Sequence, residues 1–195
     1  AALGITGGNL DNQGGRVVSD GQLSIRNSSL NNSNAGSISA GQTLSIETGL
    51  LNNHGQGEIT AVGDLSLDVT QLNNHDKGRI AAKGTARVSA TALDQHAGGE
   101  LVSESALTLD LQGGDLDNSG QGLIATPGAL LLKNLGKVDN SAGGEISSSQ
   151  GFLLKARELD NSAGRVISAQ ALQLQITQML KNSLKGVLSG GSLVV

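Results

Sequence analysis

The stretch LNNHGQGEI, residues 51–59, returns 21 residues later as LNNHDKGRI. That interval, more than any single residue, limits what the chain can fold into. Aligned on the leading aliphatic residue, the unit starts at Leu10, Leu30, Leu51, Leu72, Leu93, Leu116, Val138, Leu159 and Leu180, at intervals of 20, 21, 21, 21, 23, 22, 21 and 21 residues. A unit this short cannot enclose a core of its own, so its apolar face has to be buried by stacking on the copies before and after it. Only a lead-in at residues 1–9 lies outside the pattern, which predicts one repeat segment over 1–195 with no domain boundary.

Within a unit the pattern is approximately L-[D/N]-N-x-x-x-G-x-I-x-[A/S]-x-G-x-L-x-L. A second aliphatic column runs Val17, Ile38, Ile59, Ile80, Leu101, Ile124, Ile146, Val166 and Leu188. A third is a pair two residues apart, as in Leu23 with Ile25, Leu44 with Ile46, Leu65 with Leu67 and Phe152 with Leu154. Spacing of two places both side chains on one face of a strand and does not fit a helical stripe. A glycine precedes each second-column strand (Gly15, Gly36, Gly57, Gly78 and onward) and another precedes most third-column strands (Gly21, Gly41, Gly63, Gly84, Gly128). Glycine at fixed positions predicts corners that need backbone angles other residues reach at a cost. Strand and corner three times over closes a coil, and the expected fold is all-β: a parallel β-helix of about nine stacked coils of ~21 residues. At ~4.8 Å per coil the rod is on the order of 40 Å long. Leucine-rich repeats have similar length, but their L-x-x-L-x-L block and helical return are missing, as is the calcium-binding nonapeptide.

Composition removes several function classes. One Phe, no Tyr and no Trp leave no stacking platform for single-stranded nucleic acid, and a net charge of −4 gives no electrostatic footprint for it. The absence of Cys excludes a disulfide framework and a thiolate metal site. No run of about 18 apolar residues exists, and AALGITGGNL has neither a basic region nor a long apolar one, so the sequence reads as a segment of something longer with no export signal of its own.

Three polar columns remain. The third letter is Asn12, Asn32, Asn53, Asn74, Gln95, Asn118, Asn140, Asn161 and Asn182, which predicts a structural ladder of amides bonded from coil to coil. All three histidines occupy the fourth letter in consecutive coils, His54, His75 and His96. Stacking would place their rings roughly 5 Å apart. Such a row is a candidate metal-ligating or titrating ladder, but adjacent coils do not easily wrap a tetrahedral ion. The same letter is Gln13, Ser33, Ser119, Ser141, Ser162 and Ser183 elsewhere, so the expected reading is a tolerant turn position with no metal and no cofactor. Charges just before the second column alternate as Glu58, Arg79 and Glu100, and again as Glu145 and Arg165. Paired carboxylates can perform glycoside hydrolysis, yet these are interleaved with arginine and predict cross-coil ion pairs. No nucleophile elbow, H-E-x-x-H or phosphate loop is present, and no enzyme is expected. Longer coils at LQGGDLDNSG and LKNLGKVDNS are expected to bulge from one corner.

The segments LDNQGGRV, LNNSNAGSISAGQTLSI, LDNSGQGLIA, VDNSAGGEISS and LDNSAGRVISAQALQL resemble the haemagglutinin repeats of filamentous-haemagglutinin exoproteins, over essentially the whole chain. Such repeats form the shafts of adhesins and of CdiA effectors of contact-dependent growth inhibition. The resemblance implies a right-handed parallel β-helical fibre on the surface of a Gram-negative bacterium, exported by a dedicated outer-membrane partner transporter (two-partner secretion). It also implies an adhesive region or toxin, carried elsewhere in the parent and presented to a target-cell receptor. This segment would be shaft. Two alternatives stay beside that reading: a shaft face that binds a host glycan or receptor directly, and a polysaccharide-acting β-helix enzyme, which would need a groove lined by several acids and a base. Exposed strand edges predict end-to-end association of the isolated chain.

Overall fold

The apolar columns become strands because each strand has one face to bury and an identical neighbour to pair with. The computed structural model describes residues 1–195 as strands and turns with no helix. Every pairing between strands is parallel, and equivalent letters of successive units are in register: Ile38 pairs with Ile59, Ile59 with Ile80, and Ile80 with Leu101. The second aliphatic column forms a nine-stranded sheet from Arg16–Ser19 to Val187–Ser189. The leading and third columns form ladders of their own, Leu10 on Leu30 on Leu51 and Leu23 on Leu44 on Leu65. The architecture is a β-solenoid of about nine turns with ~21-residue spacing.

Each coil has three corners. The first follows the asparagine column, the second follows the nine-stranded sheet, and the third joins the paired-aliphatic strand to the next leading strand. The third is not a turn in several coils. The chain runs straight through it as a single bent strand at Leu44–Asn52, Leu65–Asn73, Phe152–Asp160 and Ala171–Lys181. These continuous strands fuse the leading and third ladders into one 15-stranded sheet. The bend is possible because the residue at the apex, Thr48 or Val69 or Ala156, still points inward and is buried. In the two longer coils the extra residues turn outward here, around Gln112 (φ 54°) with Gly113 and around Asn134 (φ 52°).

The core is a single cluster of 38 buried residues, all Leu, Ile, Val and Ala apart from Phe152. Flat coils of one size leave no gap that a large aromatic ring would be needed to fill. The [A/S] letter closes the second corner. Ala40, Ala61 and Ala82 are simply buried there. In later coils Ser103, Thr126, Ser148 and Ser168 each donate a hydroxyl to a carbonyl of the preceding coil, at 2.7–3.0 Å.

The repeated glycines have a different reason from the one the sequence suggests. Gly57 has an ordinary negative-side backbone, but a Cβ there would run into the carbonyl oxygen of Asn32 in the coil below and stand 2.7 Å from Asn53 Oδ1. Gly41 is held by the same kind of crowding against the Asp20 carbonyl. The left-handed angles sit on the two residues before the column glycine, such as Asn34 (φ 54°) and Ala35 (φ 62°), or Asp76 (φ 50°) and Lys77 (φ 62°). Those positions face outward and admit side chains at a modest cost. The glycine column is therefore a close approach between coils, and the corner angle is supplied elsewhere.

Candidate functional site on the first corner

Chemistry-bearing side chains collect at the first corner because three consecutive letters of the unit meet there on alternate sides of the strand. Leu51 points in, Asn52 out and Asn53 in. The inward amides form an unbroken ladder. Each amide nitrogen donates to the amide oxygen of the next coil, at 2.7–2.8 Å in seven steps and at 3.2 Å from Asn74 to Gln95. The second amide hydrogen goes to a backbone carbonyl of the next coil, for instance Asn118 to Glu145 at 3.1 Å and Gln95 to Leu123 at 2.9 Å. Asn32, Asn53, Asn74, Gln95, Asn118, Asn140 and Asn161 are all at 0% exposure, so nothing dissolved in water can touch them. This column is structural.

The outward letter had no assigned role in the sequence. It is Asp11, Asn31, Asn52, Asn73, Asp94, Asp117, Asp139, Asp160 and Lys181. At Asp11, Asn31, Asp94, Asp117, Asp139 and Asp160 the side-chain oxygen accepts the backbone N–H two residues on, as from Ser33 to Asn31 at 3.3 Å, Ser119 to Asp117 at 3.0 Å and Ser162 to Asp160 at 2.9 Å, while Asn73 Nδ2 donates to Asn52 Oδ1 at 2.7 Å instead. These Asx turns launch the corner. Asp94, Asp117, Asp139 and Asp160 are moreover in direct register across four coils. Only the last has a lysine on it, Lys181 at 2.8 Å. Burial pushes the Asp160 carboxyl up, but the Lys181 ammonium and the Ser162 hydroxyl and N–H outweigh it and hold it at about 2.

The three histidines stack as their spacing predicts. Ring centroids are 4.8 Å apart between His54 and His75 and again between His75 and His96, with interplanar angles of 4° and 15°. The structure adds carboxylates that the spacing alone does not place. His75 Nδ1 lies 2.8 Å from Asp76 Oδ2, and His96 Nδ1 lies 2.5 Å from Asp94 Oδ1. The hydrogen bond to Asp94 raises the His96 pKa above its ordinary value; partial burial opposes this, and the charges of Asp94, Asp117 and Asp76 add to it. Two groups thus bring three ligating atoms within 4.8 Å of one another: two ring nitrogens and a carboxylate oxygen from His54, His75 and Asp76, and one ring nitrogen and two carboxylate oxygens from His96, Asp94 and Asp117.

The charge row before the second column also forms as spaced. Arg79 reaches Glu58 and Glu100, both at 3.3 Å, and Arg165 reaches Glu145 at 3.2 Å. All five side chains are about a third to a half exposed, so each pair contributes under about 1 kcal/mol. Depressions along the rod are shallow. One is lined by Val102, Ala125, Pro127, Ser147 and Ile167 among serines and threonine, with no ionisable group. Another holds Glu47 and Asp68 without a base, and a third holds Arg79 and Lys83 with the single acid Glu104.

A solenoid of stacked coils, closed by a buried amide ladder and decorated by short polar columns, defines a β-solenoid repeat protein. The model of the haemagglutinin repeat matches residues 1–52, 18–89 and 60–178, and the chain belongs to that family. No curated protein and no solved structure matches it significantly. The family and the fold fit a shaft or adhesin-type exoprotein, and the family suggests an extracellular or surface-exposed location.

Proposed function

We propose that this chain is a stretch of rigid shaft in a large secreted exoprotein of a Gram-negative bacterium, holding an adhesive or toxin-carrying region away from the cell that makes it. The observation that carries this reading is the continuity of the amide ladder through all eight steps of the nine coils, including the two longer ones. A repeat that absorbs extra residues at its outer corner and keeps every internal bond maintains constant pitch, which is what a spacer requires. Export by an outer-membrane partner transporter fits a chain without Cys, whose local units can cross unfolded and then fold coil on coil.

On this reading the segment is not an enzyme, touches no nucleic acid, and leaves receptor binding to other parts of its parent. The outward row of the nine-stranded sheet supports this: Val18, Ser39, Thr60, Ala81, Val102 and Ala125 are small and offer no aromatic face to a sugar ring. The test is binding of the 195-residue chain to a glycan panel and to intact target cells. The shaft reading expects no saturable signal. Saturable binding that disappears when outward residues of this sheet are replaced would favour a direct adhesin and contradict a passive shaft.

A further inference from the structure

Going beyond the shaft reading, we propose that the first corner carries a divalent transition-metal site formed by His96, Asp94 and Asp117, which clamps two consecutive coils together. The three ligating groups lie within 4.8 Å of one another, so small side-chain rotations bring them to the roughly 3–3.5 Å spacing of ligands with ~2.1 Å bonds around zinc. Asp94 and Asp117 are register partners on adjacent strands. Each is already fixed by its turn: Asp94 Oδ1 accepts the His96 N–H at 3.3 Å, and Asp117 Oδ1 accepts the Ser119 N–H at 3.0 Å and its hydroxyl at 2.6 Å. Both keep their second oxygen free of any hydrogen bond. His96 Nδ1 faces Asp94, and ring stacking on His75 holds the imidazole plane.

The surrounding charge favours a cation. Asp94, Asp117 and Asp139 follow one another at the coil spacing and none has a lysine or arginine ion pair, an arrangement that repels itself in a parallel ladder. One imidazole with two carboxylates suits zinc or nickel better than calcium or magnesium, which take oxygen ligands only. The His96 and Asp94 side chains are 41% and 40% exposed, so water completes the coordination sphere. The site also spans the longest step of the solenoid, the 23-residue interval from Gln95 to Asn118, where a clamp between coils has the most chain to hold. His54, His75 and Asp76 form a second and weaker group, because Asp76 is itself a turn residue at 59% exposure.

The experiment titrates zinc chloride alone into the 195-residue chain while the three histidine ring signals are followed by NMR. The His96 signals should shift first and saturate at one ion per chain, while calcium chloride leaves them in place. His96→Gln, and separately the double variant Asp94→Asn with Asp117→Asn, should weaken zinc binding at least about tenfold, and His54→Gln should leave it within about twofold. These variants keep the fold: Gln13 occupies the same letter as His96, and Asn31 makes the same turn bond as Asp94 and Asp117. No saturable shift up to roughly 1 mM zinc, unchanged affinity in the Asp94/Asp117 double variant, or an equal response to calcium would overturn the site.

Discussion

Replacing Asn118 by Ala is the sharpest way to measure what the amide ladder contributes. Asn118 is at 0% exposure; its Oδ1 accepts from Gln95 Nε2 at 2.8 Å, and its Nδ2 donates to Asn140 Oδ1 at 2.7 Å and to the Glu145 carbonyl at 3.1 Å. Removal leaves one Gln95 N–H and the Asn140 oxygen buried without partners, and takes one donor from a carbonyl. At about 1–3 kcal/mol for each orphaned buried group, the two side-chain losses alone come to roughly 2–6 kcal/mol. The same change at Asn182 is the internal control. It accepts from Asn161 at 2.8 Å but lies exposed in the last coil, where water can replace the lost bond, so its cost should stay under about 1 kcal/mol. Urea unfolding followed by far-UV CD reads both. For a slope of about 2–3 kcal/mol per molar, a 4 kcal/mol loss lowers the midpoint by roughly 1.5 M. A shift for Asn118→Ala no larger than that of Asn182→Ala would refute the argument that the ladder stabilises through buried, mutually satisfied amides.

Gly57→Ala should cost about 2–3 kcal/mol through overpacking against backbone that cannot yield, whereas Gly55→Ala, at φ 61° beside a movable Asn34 side chain, should cost about 1 kcal/mol; the same urea assay ranks them. Asp160 has a lowered pKa of about 2 against an ordinary 3.8, so its contribution is complete above pH 3.8 and is lost as pH falls towards 2. Lys181→Gln should flatten the stability profile in that window and leave the neutral-pH profile shape unchanged. The outer edges of Leu3–Thr6 and Ser192–Val194 are unpaired and carry exposed Leu3, Leu193 and Val194, so sedimentation of the isolated chain should depend on concentration. A single monomeric species at high concentration would count against that.

The sequence disclosed the parts of this molecule that depend on recurrence. The columns of Ile59 and Leu51 follow from period and alternation, and the pairing of Arg79 with Glu58 and Glu100 follows once coils are stacked in register. The amide ladder was legible for the same reason, since Leu51, Asn52 and Asn53 continue the in-out alternation of a strand and Asn53 is its next inward position. What recurrence does not state is why a residue recurs. Gly57 repeats like a turn glycine, yet its constraint is the Asn32 carbonyl one coil away, a distance no one-dimensional pattern contains. Closure of a coil requires a third corner but does not say how it is made, and an inward Val69 or Ala156 lets the strand bend there without breaking. The outward column is Asn or Asp in most coils, and the pattern alone does not say that Asn73 bonds Asn52 across the coils while Asp94 turns to His96. The change from Asn73 to Asp94 falls beside His96, and it converts a stacked ring into one with two carboxylates in reach.

In a shaft of constant pitch, distance along the rod is counted in coils. The chain has no cysteine, so paired nitroxide labels can be placed without background. Ser39, Thr60, Ala81, Val102, Ala125 and Ser147 form one register line on the nine-stranded sheet. Labels at Ser39→Cys and Ser147→Cys, five coils apart, should give a narrow electron–electron distance near 24 Å. Moving the second label to Ala125 should shorten it by about 4.8 Å. Separations that are broad, or that fail to change in equal steps from coil to coil, would contradict the account.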